Sequence, residues 1–523
     1  MFKNQLFIVV VFLSFLGCKT RTDEPQQAEI VEKKPNVLII FPDQLRRYSA
    51  GFWSEAPYKN VAQGKADPVV TPTIDMLAKN GVVFSNAISN FPLCSPYRGM
   101  LLSGRYPEQN GIWNNCRKDR DESLRNDIET IPSLFYKAGY NTSYFGKCHW
   151  LKNEPLFDSI GNYVGKTEAP GGHYVNLYDT YIPPGKPRHD IEYFYQSLKD
   201  EHYNPRVYSN DPSVINGKKD GELYLPKTFS AKNEAEVIIQ YLKNEQGQRD
   251  SKKPFCAIWS LNPPHNPWDD ENTDMEALRE YYDEDKFEAI DEKLVVRNNV
   301  VLDTAHYARH YYANVTSADK YIGQVISELE KMGELDNTII LFSSDHGEML
   351  GSHGKTGKNM VELESLAIPF IVHWPSKIQS GLTDILFSVP DVLPTVMGLA
   401  GLANDIPAEI QGINFASLLL KEQGAVEKPE AALILLENAR GVLTERYTLC
   451  ITIPYGDDGQ VKKGILKEAF IYDNVNDPYQ LNKINFEDRP EVSKQLLANL
   501  GQLLKNTNDP WFQNRYFDTL ITY

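Results

Sequence analysis

Residues 36–44 read NVLIIFPDQ: an apolar run from Val37 to Phe41, a proline, then the pair Asp43-Gln44. A continuous apolar run this short, ended by a breaker, suits a strand buried on both faces, and such strands belong to parallel or mixed sheets covered by helices. The pattern recurs at Val82 to Ser85, Thr142 to Phe145, Phe255 to Leu261, Thr338 to Phe342 and Ile368 to His373. Helical patterns lie between them at Ile74 to Ala78, Ile131 to Ala138, His306 to Met332 and Val392 to Ala400. This alternation predicts an α/β fold with crossover helices. From about Ala432 onward strands come first and one helix, near Val492 to Lys505, comes last. That order predicts a smaller C-terminal α+β subdomain over 431–523 behind a catalytic domain over 35–430. Residues 151–253 break the rhythm with Tyr, Pro, Asp and His, and read as a long insertion near the ligand end of the sheet.

The chain has 523 residues, 41% hydrophobic and 24% charged, a composition that excludes a disordered or polytopic membrane protein. Its net charge of −16, with no segregated basic patch, argues against a nucleic-acid partner. At the N-terminus Lys3 precedes the apolar run Leu6 to Leu16, too short to span a bilayer, so residues 1–17 read as a signal peptide. Phe15-Leu16-Gly17-Cys18 resembles the bacterial lipobox, which implies lipidation at Cys18 and anchoring to a bacterial membrane, on the periplasmic side or the cell surface. A simple secretory signal is the alternative. Residues 18–34 are polar and aperiodic, as a flexible tether would be. Of the six cysteines, Cys116, Cys148, Cys256 and Cys450 are too widely spaced, in a chain with too large a core, to make a disulfide-dependent fold necessary.

Asp43-Gln44 and Asp345-His346 each follow a predicted strand, and α/β folds gather their ligands at the carboxyl ends of strands. Oxygen-rich ligation of that kind points to a hard cation, Ca²⁺ or Mg²⁺. Between them lies Cys94-Ser95-Pro96-Tyr97-Arg98, followed by Leu101-Leu102-Ser103-Gly104-Arg105. This stretch resembles the Cys-x-Pro-x-Arg motif of the type I sulfatases, with bacterial polysaccharide sulfatases as the nearest group.

The resemblance implies an alkaline-phosphatase-like fold, a large mixed sheet sandwiched by helices. It implies that a formylglycine-generating maturation enzyme oxidises Cys94 to formylglycine (3-oxoalanine). The hydrated aldehyde then attacks sulfur, and its second hydroxyl expels sulfate. A helix beginning near Pro96 would set that nucleophile at a helix N-terminus, where free N–H groups favour an anion. One Ca²⁺ held by Asp43, Gln44, Cys94, Asp345 and His346 is implied as well, although Gln44 is often Asp in the family and His346 often Asn. Gly146-Lys147-Cys148-His149-Trp150 is similar to the family segment whose Lys holds formylglycine and sulfate and whose His contacts the formylglycine hydroxyl. Pro263-Pro264-His265 and Lys358 match a His and a Lys beside the ester oxygen, with Lys355 as the rival Lys in the same loop. His353 in that loop either faces substrate or caps the loop. The catalytic set so implied is Cys94, Arg98, Lys147, His149, His265 and Lys358. Asp391 to Thr395 and Ile471 to Tyr479 match structural motifs of the family.

The expected activity is hydrolysis of sulfate esters on a polysaccharide or its oligosaccharides: an algal polymer such as ulvan or a galactan, or a glycosaminoglycan. The alternatives are a phosphonate or phosphodiester monoester hydrolase of the same superfamily, and an inactive glycan-binding lipoprotein. Within 151–253, Tyr174, Tyr178, Tyr181, Tyr193, Tyr195 and Tyr203 stand among His173, His189, His202, Arg188 and Arg206, a set suited to stacking on sugar rings and pairing with their anions.

Overall fold

The apolar run at the start forms β1 (Asn36–Pro42), with every residue buried. It lies between β6 (Phe255–Leu261) and β7 (Thr338–Phe342) and runs parallel to both. Val37, Ile39 and Phe41 enter one core cluster and Leu38 and Ile40 another, which is why the sequence shows an unbroken run instead of an alternation. Each such fully buried side chain contributes about 1.5–3 kcal/mol.

The computed structural model describes residues 33–117, 120–152, 179–198, 201–283, 307–424, 426–456, 461–462 and 464–521. The expected signal peptide, Cys18, His173, Tyr174 and Tyr178 lie outside these residues. The remaining sheet strands are β2 (Val82–Ile88), β3 (Asn141–Gly146), β4 (Tyr193–Ser197), β5 (Val207–Ser209), β8 (Ile371–His373) and β9 (Gly381–Ser388). Among the described residues they form a nine-stranded mixed sheet in the order β5-β4-β3-β6-β1-β7-β8-β2-β9. Its two faces are covered by helices that include Pro72–Asn80, Cys94–Ser103, Ser230–Lys243 and Ala308–Lys331. A second, antiparallel sheet of β10 (Ala431–Leu436), β11 (Ala439–Thr444), β12 (Tyr447–Thr452) and β13 (Glu468–Asp473) forms the smaller C-terminal part, with the helix Pro490–Asn506 packed on it. Leu433, Val442 and Leu449 of this sheet share the core cluster of β1. Among the described residues, no helix is long and apolar enough to cross a membrane, and Cys94, Cys116, Cys148, Cys256 and Cys450 are free thiols.

The reading of 151–253 as an insertion needs correction. Within it β4 and β5 extend the sheet past β3, and the helix Ser230–Lys243 packs on the sheet and on Ala308–Lys331. Tyrosines of its described part accordingly face inward. Tyr181, Tyr193 and Tyr195 are buried, and each hydroxyl is held by Asp220, Asp211 or Asn233 respectively. Tyr203 is half-buried against Phe229. Arg188 forms a bidentate pair with Asp220, Arg206 pairs with Glu201, and His189 and His202 are buried. These side chains build the sheet edge, and they do not form an open sugar-stacking face.

Candidate active site

The parallel neighbours β3, β6, β1 and β7 all end at one sheet edge, so the four segments that follow them meet there. Those segments carry Lys147 and His149, His265, Asp43 and Gln44, and Asp345 and His346. The turn after β3 requires glycine at 146: its φ is +91°, and a Cβ there would fall 2.0 Å from the Ser260 carbonyl oxygen. A Cβ on Gly347 would fall 1.9 Å from the Glu364 carbonyl oxygen, which lets the His346 segment lie against the helix Leu363–Leu366.

Cys94 opens the helix Cys94–Ser103, two residues earlier than expected. Leu93 is extended, with φ −149°, and Gly104 closes the helix in the left-handed region. Cys94 Sγ lies 3.3 Å from His346 Nε2, and Lys147 Nζ approaches it to 3.8 Å. Burial pushes this thiol up, but the Lys147 and Lys358 ammonium groups outweigh burial and hold it well below its ordinary range. His149 Nε2 sits 3.1 Å from the Cys116 carbonyl oxygen, so that nitrogen carries the proton, and Nδ1 has no hydrogen-bond partner.

Arg98 is fully buried. It donates from Nη2 to Asp43 Oδ2 at 3.1 Å and to Asp345 Oδ2 at 3.5 Å, and from Nη1 to the Lys147 carbonyl at 2.7 Å and to Ser260 Oγ. Ser260 was absent from the sequence reading, because no motif marks a serine within a buried strand. Lys147 Nζ is also hydrogen-bonded to Asp43.

Ligand atoms of Asp43, Cys94, Asp345 and His346 all lie within 4.8 Å of one another. Three observations fit a cation there. Asp43 Oδ1 is buried without a hydrogen-bond partner. His346 Nδ1 sits 3.0 Å from the Gly347 carbonyl oxygen and so carries the proton, which turns the Nε2 lone pair toward both carboxylates. Third, although burial and Cys94 push Asp43 up, the Lys147 ammonium holds it far below the carboxylate range, whereas burial and the neighbouring Asp43 carboxylate push Asp345 up. Two buried carboxylates sharing one arginine compete for their charge, and a divalent ion relieves that competition. Gln44, expected among the ligands, holds Oε1 against Lys358 Nζ and Nε2 against Glu348 Oε2, while its backbone N–H donates to Asp345 at 2.8 Å.

At the outer end of the site Lys358 Nζ lies 2.9 Å from His265 Nε2. Lys355 is exposed and pairs with Glu362, so Lys358 is the lysine brought to the cluster. His353 is half-buried in the same loop with φ +55°. His265 Nδ1 faces the Asn266 carbonyl oxygen at 2.6 Å, and burial together with Lys358 pushes this imidazole down to about 3. Neutral His265 therefore accepts from Lys358.

The model of the Sulfatase family matches residues 35–402, and that of the C-terminal region of N-sulphoglucosamine sulphohydrolase matches 351–507. An endo-4-O-sulfatase of Bacteroides thetaiotaomicron is 38% identical over 97% of this chain and 98% of its own length. An ulvan-active sulfatase of Formosa agariphila is 28% identical over 97% of this chain and 88% of its own. A solved structure concerned with the metabolism of multiple glycosaminoglycans by B. thetaiotaomicron superposes with a TM-score of 0.84 at 37% identity, covering 94% of this chain and 100% of that one.

Proposed function

The chain belongs to the sulfatase family, and from that premise we propose that it removes sulfate from a sulfated polysaccharide or its oligosaccharides, with Cys94 matured to formylglycine. The observation that carries the reading is Cys94 at the first turn of a helix, with Lys147, His149, His346 and two buried carboxylates around it. Relatives named for endo-4-O-desulfation and for ulvan support a polymeric glycan substrate.

Hydrated formylglycine at residue 94 supplies an oxygen nucleophile and a second hydroxyl that allows sulfate to leave. A divalent cation, assigned here as Ca²⁺ on its carboxylate-rich ligands, supplies charge against the sulfuryl oxygens. Asp43, Asp345, His346 and residue 94 would hold it.

The chain's own groups divide the remaining work. Lys147 sets a positive charge beside residue 94 and holds Asp43 in place. His149 offers the unpartnered Nδ1 as the acceptor for a proton from residue 94. Arg98 is a positioning residue: its donors go to the two carboxylates, Ser260 and the Lys147 carbonyl, and it is 1% exposed. Lys358 donates toward the leaving oxygen while His265 holds it. Export and lipid anchoring through Cys18, as well as maturation by a formylglycine-generating enzyme, belong to the same proposal; the leader Leu6 to Cys18 and the Cys-x-Pro-x-Arg motif support them.

The test is a desulfation screen on defined sulfated oligosaccharides, alongside a sulfate and a phosphate ester of the same phenol. Release of sulfate from saccharides, with the aryl sulfate turned over in preference to the aryl phosphate, is expected. Preference for the phosphate ester, or for a small metabolite such as choline sulfate, overturns the reading.

A further inference from the structure

Glu348 is fully buried two residues beyond His346 and has no role in the chemistry above. It accepts four hydrogen bonds. Oε1 takes the Tyr307 hydroxyl at 2.8 Å, the Leu350 N–H at 3.1 Å and the Gly357 N–H at 2.7 Å, and Oε2 takes the Gln44 side-chain amide. Four donors around an acceptor-only group fully satisfy a buried carboxylate.

This bonding pattern decides which way Gln44 points. An amide beside a carboxylate must present its NH₂ to it, so Gln44 Oε1 faces Lys358. The Lys358 ammonium has three N–H bonds: one goes to Gln44 Oε1, one to His265 Nε2, and the third remains for an incoming oxygen. The Leu350 and Gly357 bonds also tie down the two ends of the loop that delivers Lys358. Tyr307 stacks on Trp268 at 4.1 Å, and the Trp268 indole donates to the Pro264 carbonyl beside His265. One carboxylate thus braces both partners of the lysine.

We infer that Glu348 is a positioning residue for the leaving-group end of the site, acting through the Gln44 amide to hold the Lys358 ammonium in place against His265. The inference rests on the proposed sulfatase reading and adds to it a residue that touches no substrate.

The test uses the matured, metal-loaded enzyme and a pair of substrates, a sulfated sugar alcohol and an activated aryl sulfate. In Glu348→Gln one acceptor oxygen becomes a donor. The remaining oxygen serves Tyr307, Leu350 and Gly357, so Gln44 must flip and turn its NH₂ toward Lys358. The loss expected in kcat/KM is on the order of tenfold or more on the sugar sulfate, the value of a hydrogen bond to a charged group, and about twofold on the aryl sulfate. The double variant Glu348→Gln, Gln44→Glu exchanges acid and amide and restores every donor–acceptor pair, so it should regain most of the lost ratio between the substrates. Equal losses on both substrates in Glu348→Gln, or no recovery in the double variant, overturn the inference. If Glu348→Gln does not fold, the double variant decides: refolding with the wild-type substrate ratio supports the inference, and failure to fold overturns it. A wild-type enzyme that hydrolyses neither ester overturns the sulfatase reading instead, a result distinct from all of these.

Discussion

Lys147 Nζ stands 3.8 Å from Cys94 Sγ while hydrogen-bonding to Asp43, so one buried ammonium joins the nucleophile position to the carboxylate cluster. An oxygen nucleophile at residue 94 would find there the positive charge needed to hold an anion. Peptide mass analysis of active enzyme is expected to show an aldehyde in place of the Cys94 thiol. Cys94→Ala should lower kcat by at least about 10³-fold, because nothing else in the site supplies a nucleophile with a second hydroxyl. Full activity from the unmodified thiol would contradict this.

Chelation should abolish turnover and lower the thermal midpoint. An ion bound only by the folded chain adds about 2.7 kcal/mol at a hundredfold excess over its Kd. Asp345→Asn leaves one carboxylate beside Arg98 and should weaken metal binding, read directly by calorimetry. An active protein free of divalent metal would sink the assignment.

Lys358 and His265 are expected to differ in weight. Burial and the adjacent ammonium keep His265 neutral, and it already accepts from Lys358, so the lysine is the donor that reaches the leaving oxygen. Lys358→Ala should therefore cost on the order of 10²-fold on a sugar sulfate and much less on an activated aryl sulfate, which needs little protonation. His265→Ala should show the same preference with a smaller loss. Equal losses on both substrates would remove the leaving-group role.

The strands buried on both faces could be read almost to the residue: Phe255 to Leu261 and Thr338 to Phe342 coincide with β6 and β7. The site segments could be read because each follows such a strand. What escaped were elements whose polar groups lie inside. β4 carries two tyrosines whose hydroxyls are satisfied internally, so it looked like a binding surface. β9 is largely exposed over Gly381 to Asp384 and buried only from Ile385, which blurs its pattern. The helix Ser230–Lys243 turns Glu234 inward and breaks its own apolar stripe. Glu348 carries no signal of its own in the sequence, because its partners lie at 44, 307, 350 and 357.

Tyr195 is the direct check on the corrected edge. It is completely buried and its hydroxyl bonds to Asn233 of the packed helix. Tyr195→Ala should cost about 3–5 kcal/mol of stability, as deletion of a buried aromatic ring does, with the ratio of saccharide to aryl sulfate turnover unchanged. A stable variant with altered saccharide preference would restore the sugar-stacking reading.

Glu234 sets a pH dependence that can be separated from the catalytic groups. Its carboxyl is fully buried between Ser197 Oγ at 2.6 Å and the Trp259 indole N–H at 2.8 Å, and burial pushes it up to about 7 from an ordinary 4.5. Between those values the unfolded chain has lost this proton and the folded chain keeps it, so the folded state binds more protons and stability falls as pH rises. The contribution is fully present below about pH 4.5, declines through 7, and amounts to on the order of 3 kcal/mol over the window. Glu234→Gln keeps the protonated shape, its Nε2 donating to Ser197 and its oxygen accepting from Trp259, and removes the titration. Denaturation midpoints of the variant should exceed those of the wild type at pH 8 and converge with them near pH 4.5. Parallel stability curves across that range would show that Glu234 ionises alike in the folded and unfolded chains.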